Sequence, residues 1–347
     1  MGIRTIAFAS IGAMSCAAAM PASAQEAITV ATYGGEWGAA MQTCIIGPFT
    51  EKTGIRVTPE PGVSGVTLSK LLQQQNAPAI DVAWLDGGVS EQAAAQKVVA
   101  ALDPAKITGI EAMIDEGIYK DGEGKIFALS TGFYSVGLAY NTDEVENAPT
   151  KWSDLWNDDY AGAVTFPSPA NAMGVPFLAQ LAKQKNADLT DLDPVLEELR
   201  TLQVAAYFDT AGSGTNLFQS GEAIIGAHYA NSVYAMRDQG LSVDFAIPEG
   251  GAIGGDIRIH LVANTPHQEA AEQFVDFAVS EDAAQCMSER IFVGPATQGV
   301  ELNENAKARM PWGATGTIKD LALPDWNNIN ENRAAVIEAF NRNVARR

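Results

Sequence analysis

Between residues 28 and 86 the chain swaps repeatedly between two hydrophobic periods, and this alternation limits its fold more than any other feature. Ile28-Thr29-Val30-Ala31-Thr32 reads as a strand. Tyr33-Gly34-Gly35-Glu36-Trp37 breaks it. A helix follows, with Trp37, Met41, Cys44/Ile45 and Phe49 returning at spacings of three to four. Gly54 ends that helix. Ile55-Arg56-Val57-Thr58 returns as a strand, Thr67 to Gln75 reads as a helix, and the apolar strand Ile80–Leu85 runs into Asp86-Gly87-Gly88. Strand, helix, strand, helix, strand is the α/β pattern of a parallel sheet. Ligands of such sheets sit beyond the carboxyl ends of the strands, which is where the loops Tyr33–Trp37 and Asp86–Gly88 fall. Their glycines either let a backbone approach a ligand closely or simply make tight turns. Neither loop carries G-x-G-x-x-G or a Walker pattern.

Ahead of this opening, residues 1–24 hold one basic residue, Arg4, then an Ala-rich apolar run from Thr5 to Met20, then Ala22-Ser23-Ala24. This is the layout of a cleavable export signal, with Gln25 as the expected mature N-terminus. Ala-Met-Ser before Cys16 is a poor match to a lipid-anchor site. No later stretch has about 18 apolar residues in a row. The expectation is a soluble protein that lies outside the cytoplasm. Roughly 320 residues remain after cleavage, long for one core and suited to two lobes.

The formal net charge is −20, and removing Arg4 makes it −21. Such a surface repels nucleic acid and anionic lipid and weakly attracts cations. Cys44 and Cys286 are readable as a disulfide or as two separate buried thiols. His228, His260 and His267 have no metal-ligand spacing, so no metal or other cofactor is expected. There is no G-x-S-x-G elbow, no H-E-x-x-H and no catalytic-cysteine context, so the chain is not read as an enzyme and no catalytic residue is assigned. His228 reads as a core or rim residue.

Further on, Ile126–Asn141 is a long β-rich stretch without acid or base, suited to crossing between lobes. Residues 149–160 form a polar, aromatic segment around a short helix. A second α/β region follows: a strand at Gly162–Phe166, a helix capped by Asp193-Pro194 and running to about Leu202, and a strand within Gly221–Tyr229. Pro248-Glu249-Gly250-Gly251 is a turn and Asp256–Ala263 a strand. Helices span 267–278, the segment after Ser280, and about Asn328–Val344, the last presenting Ile329, Val336/Ile337 and Phe340.

Several segments, in this order and spacing, resemble the extracellular solute-binding proteins of bacterial ABC importers, of the spermidine/putrescine-binding type. They include the opening strand with Tyr-Gly-Gly, Pro48 to Val57, Asp81 to Asp86, Leu138 to Asn141, Trp152 to Trp156, Ser220 to Ala223, Pro248 to Gly251, Ala270 to Phe277 and Pro324-Asp325-Trp326. The resemblance implies a type II two-lobe periplasmic-binding-protein fold, each lobe a mixed sheet flanked by helices, with the ligand cleft between them. It places lobe one at 25–136 plus 257–303 and lobe two at 137–256 plus 304–347. It also implies a monomer that closes on a small amine and delivers it to a permease in the inner membrane.

The same resemblance assigns site residues. Tyr33, Gly34 and Trp37 belong to the first wall of the cleft, although Trp37 also begins an apolar helix face. Asp86 ends an apolar strand, where a carboxylate has little structural use. Ser168 and Asn171 lie in a loop where the family carries acids and this chain carries none. Tyr229, with Asn231 and Ser232 after it, matches a lobe-two wall. Asp256 matches an amine-gripping acid, Gly254 stands where the family has an aromatic, and Phe292 matches another aromatic. If Asp256 and Arg258 lie on a strand they share a face. They could then bind the two ends of a zwitterion such as an ω-amino acid, or simply pair with each other. A polyamine-like amine is the first expectation, the zwitterion the second. Thiamine-like cations and ferric iron are further options, although Tyr134 and Tyr140 make no convincing iron-binding pair.

Overall fold

A computed structural model describes Gly2 and residues 26–345. The expected export signal and Cys16 lie outside the described residues. Among the described residues the strands are β1 (Ala27–Thr32), β2 (Arg56–Pro61), β3 (Val82–Asp86), β4 (Ile118–Lys120), β5 (Ile126–Asn141), β6 (Val164–Pro167), β7 (Val204–Phe208), β8 (Ile225–Tyr229), β9 (Val243–Ala246) and β10 (Ile253–Leu261). They form one sheet in the order β2-β1-β3-β10-β5-β8-β6-β7, with β4 and β9 also pairing to β5. The first block, β2-β1-β3, and the second, β8-β6-β7, are each parallel. The antiparallel strands β10 and β5 join them. The protein is a two-lobe α/β fold whose lobes share these central strands.

The long strand explains its own composition. β5 is buried from Phe127 to Ala139, pairing with β10 along its first part and with β8 and β9 along its last. A strand covered on both faces leaves no room for charge, and none occurs there. Each lobe has its own aromatic centre. Phe49, Trp84 and Phe274 meet edge to face in the first, with Phe49 and Phe274 centroids 5.0 Å apart. In the second, Trp152 and Phe166 pack on Phe177, and Phe340 on Phe166 and Tyr207.

The first helical stretch is not uniform. Helix Gly35–Met41 passes through a π turn, Gln42–Ile46, into helix Gly47–Thr53, which Gly54 ends at φ 75°. The wider turn lets Cys44, Ile45 and Ile46 all be buried. Cys44 is bridged to Cys286 with a Cα–Cα distance of 5.5 Å, tying this turn to helix Glu281–Ile291. Of the two readings of the cysteines, the structure has the disulfide.

Two boundaries and four helices differ from expectation. Leu192, not Asp193, caps helix Asp193–Leu199, and no side-chain bond is made there. β10 starts at Ile253, ahead of the expected Asp256, because its glycines fit a crowded place. A Cβ on Gly255 would enter the Tyr134 ring, and one on Gly254 would meet Leu321 and Leu323. The helices Val89–Ala95, Gly174–Gln184, Ala211–Gln219 and Ala230–Asp238 were not anticipated.

Candidate functional site

The carboxyl ends of β1 and β3 in one lobe and of β6, β7 and β8 in the other open on a shared cavity of about 670 Å³. Its apolar wall comes from short loops and helix starts: Val63 and Val66 on one side, Pro169, Ala170 and Ala172 on the other, with Ile257 from β10 and Ile337 from the last helix. Three charged side chains line it, Asp86, Asp209 and Arg333.

Asp86, the last residue of β3, is held from both sides. Ser64, the first residue of helix Ser64–Gln73, donates from Oγ to Asp86 Oδ2 at 2.6 Å and accepts from the Asp86 amide at 3.0 Å. The Tyr33 hydroxyl shares a hydrogen bond of 3.2 Å with the same Ser64 oxygen. The Tyr134 hydroxyl reaches Asp86 Oδ1 at 3.4 Å. Burial pushes the Asp86 carboxyl above its ordinary range; the Ser64 bond opposes this and the Asp256 charge adds to it.

Around this carboxylate stands a chain of rings. Tyr33 meets Trp37 with centroids 6.3 Å apart, Trp37 meets Tyr134 at 6.0 Å, and Tyr134 meets Tyr229 at 5.6 Å. The interplanar angles are 61°, 76° and 51°, so the rings form the walls of a box rather than a stack. Burial, and next the Asp86 charge, push the phenols of Tyr33, Tyr134 and Tyr229 well up, which keeps them neutral hydroxyls. Tyr229 is fixed by donating to Asn171 Oδ1 at 2.7 Å. Asn171 also accepts from the Met173 amide at 2.9 Å and donates from Nδ2 to the Asp209 carbonyl at 3.1 Å. A carboxylate that shares its cavity with four aromatic rings is suited to a cation.

Of the expected residues, Tyr33, Trp37, Asp86, Asn171 and Tyr229 line this cavity. Gly34, Ser168, Asn231, Asp256, Arg258 and Phe292 are not among its lining residues. Gly34 caps the first helix. Ser168 donates from its hydroxyl to the Asp209 carboxylate at the exposed rim. Asn231 is buried in helix Ala230–Asp238. Phe292 ends helix Glu281–Ile291 and packs on Tyr234, with Arg309 over its ring at 4.7 Å.

Asp256 and Arg258 do share a face of β10, but Ile257 between them is the residue that meets the cavity. Arg258 is 1% exposed. Its Nε donates to Asp256 Oδ2 at 2.9 Å, its Nη1 pairs with Glu91, and its guanidinium lies 3.4 Å from the centre of the Tyr119 ring. Of the two readings of Asp256 and Arg258, the structure has the internal pair, with Glu91 added to it. At Gly254, where the family has an aromatic, Leu321 and Leu323 fill the space.

Ser64, Asp209 and Arg333 escape the sequence reading, and Tyr134 enters it only as half of an unconvincing iron-binding pair. Ser64 opens a helix, and serine is a residue type favoured near helix starts. For the other three no local pattern sets them apart.

Comparison with known proteins identifies the family. The family model described as bacterial extracellular solute-binding protein matches residues 45–311. The γ-aminobutyric acid-binding protein of Pseudomonas aeruginosa is 23% identical over 84% of this chain and 82% of its own length. The putrescine-binding periplasmic protein PotF of Escherichia coli is 20% identical over 88% of this chain and 92% of its own. The solved structure of the Atu4243 GABA receptor superposes with a TM-score of 0.78 at 19% identity, covering 93% of this chain and 98% of that one.

Proposed function

The chain belongs to the bacterial extracellular solute-binding proteins, and from that premise we propose that it captures a small solute bearing an ammonium group, with Asp86 as counter-charge and Tyr33, Trp37, Tyr134 and Tyr229 as walls. It is a solute-binding component of an ABC transporter, of the kind that works in the periplasm with a membrane permease. The observation that carries the ammonium reading is Asp86: a carboxylate shut in by aromatic rings, with no cation of the protein paired to it among the described residues.

The energetics are adequate. Each cation–π contact contributes about 0.5–2 kcal/mol, and a charge-assisted bond to a carboxylate is roughly twice as strong as a neutral one. Micromolar binding requires about −8 kcal/mol net. Closure of two lobes about the shared strands β5 and β10 would remove water from the box and strengthen both terms. The ligands named for the two curated relatives, γ-aminobutyric acid and putrescine, share one feature, a terminal ammonium on an unbranched carbon chain. That shared end is what the Asp86 box accommodates.

A thermal-shift panel of amines, ω-amino acids, thiamine and ferric iron tests the reading. A ligand present at 100 times its dissociation constant should stabilise the fold by about 2.7 kcal/mol. Stabilisation confined to solutes that lack an ammonium group would refute it.

A further inference from the structure

The cavity holds a second charge that the ammonium reading does not use. Arg333 lies on helix Trp326–Phe340 and lines the same space as Asp86. Residues 326, 330, 333 and 337 follow one another along one side of that helix, at spacings of three to four. Trp326 packs where side chains on Gly87 and Gly88 would otherwise stand. Asn330 donates from Nδ2 to the Gly88 carbonyl at 2.8 Å and accepts from Gln92 at 3.1 Å. Arg333 and Ile337 come next and reach the cavity. The helix thus docks on the turn directly after Asp86 and holds a guanidinium against Gly88 of that turn.

This guanidinium is uncompensated. Arg333 Nε is buried without a hydrogen-bond partner, and Arg333 enters no ion pair among the described residues. Burial alone pushes its pKa down, with no neighbouring carboxylate opposing the shift. The other arginine near the site, Arg258, shows the contrast, since two carboxylates hold it. An arginine stays protonated under these conditions, so the fold retains a poorly solvated cation in the wall of its cavity. Asp86 and Arg333 line one space without pairing with each other. Asp209, the remaining charged side chain there, is exposed and tied to Ser168.

We propose that Arg333 is a specificity-determining residue that receives an acid group of the solute, so that the ligand is a zwitterion with its ammonium at Asp86 and its carboxylate or phosphonate at Arg333. The inference rests on the ammonium reading of the same cavity and narrows it. A diamine would bring a second cation against an unpaired guanidinium, and like charges in a partly dry space repel. A zwitterion satisfies both wall charges and adds no net charge to the closed cleft.

Calorimetry on the full mature protein with matched short straight-chain probes tests this: ω-amino acids, α,ω-diamines, monoamines and monocarboxylates of equal length, plus an aminoalkylphosphonate. The ω-amino acid or the aminoalkylphosphonate should bind at least about tenfold more tightly than the diamine, since a charge-assisted bond is involved. The better of the two identifies the acid group. In Arg333→Met that zwitterion should lose roughly 10- to 100-fold in affinity while the monoamine is unchanged or improved. A diamine that binds wild type as tightly as the zwitterion overturns the role of Arg333 and leaves the ammonium reading standing. A monocarboxylate that binds as tightly as the zwitterion overturns the ammonium reading itself. Equal losses for zwitterion and monoamine in Arg333→Met would make Arg333 merely structural.

Discussion

Ser64 Oγ donates to Asp86 Oδ2 at 2.6 Å while accepting from the Asp86 amide at 3.0 Å, so a helix start and a strand end are locked together at the floor of the cavity. The lock orients a carboxylate whose pKa burial has raised. An acid with a raised folded-state pKa favours folding below its unfolded value and loses that contribution as pH rises through the folded value. In its ionised form Asp86 therefore costs stability, and the gain is the ability to hold a cation. Asp86→Asn should raise the unfolding midpoint of the ligand-free protein and weaken amine binding by about 2–5 kcal/mol. Thermal unfolding and calorimetry at pH 7 check both halves; a lower midpoint with affinity retained contradicts the assignment.

The buried group Asp256–Arg258–Glu91 makes a different prediction. Glu91 also accepts from the Gly88 amide at 2.6 Å, so the group braces the turn after Asp86 from behind. Removing one member of a buried ion pair leaves its partners uncompensated, at about 3–5 kcal/mol. Arg258→Met should cost that much in denaturant unfolding and lower affinity for amines and zwitterions alike. A selective loss of zwitterion binding would instead make Arg258 the acid anchor.

The contrast between Arg258 and Arg333 marks how far the sequence can be read. Alternation along β10 puts Asp256 and Arg258 on one face, but parity alone does not say which face turns to the ligand. Asp86 is legible because a carboxylate at the end of an apolar strand has few structural uses. Tyr134 is not, because its ring position depends on Gly255 in a strand distant in sequence. Arg333 is hidden for a related reason. The last helix shows an apolar stripe at Ile329, Val336 and Phe340, all buried, and its neighbouring face, with Asn330 and Arg333, looks like a solvated one. Only the docking of Trp326 on Gly87 and Gly88 turns that face inward. Local periods and their loops carry their own signals; contacts between elements distant in sequence do not.

The Cys44–Cys286 bridge closes a sequence separation of 242 residues, and neither sulfur lines the cavity. A cross-link over so long a loop restricts the unfolded chain strongly, and such bonds are typically worth about 2–4 kcal/mol. Replacing both cysteines by serine should lower the unfolding midpoint by several degrees while leaving solute affinity within about twofold. Stability and affinity falling together would mean that the bridge also positions the first wall of the cavity through the helix that begins beside Trp37.

Acid should weaken this fold through two histidines that never meet solvent. His228 lies between Phe208 and Phe218, with ring centroids 5.2 and 5.8 Å away, and its Nδ1 has no partner. His260 shares hydrogen bonds with Ser90 Oγ at 2.8 Å and the Ala83 carbonyl at 3.1 Å. Burial pushes both down from the ordinary value to about 3. A depressed folded-state pKa gives stability that is complete above the unfolded value near 6.5 and is lost as pH falls toward about 3. Each pH unit across that window costs at most about 1.4 kcal/mol per histidine. Chemical denaturation between about pH 7.5 and 4.5 should show the loss beginning below 6.5. His228→Phe keeps the aromatic packing and removes one titrating ring, so its loss over the same range should be roughly half that of wild type. A variant that tracks wild type would shift the acid sensitivity away from His228 to the carboxylates of this acidic surface.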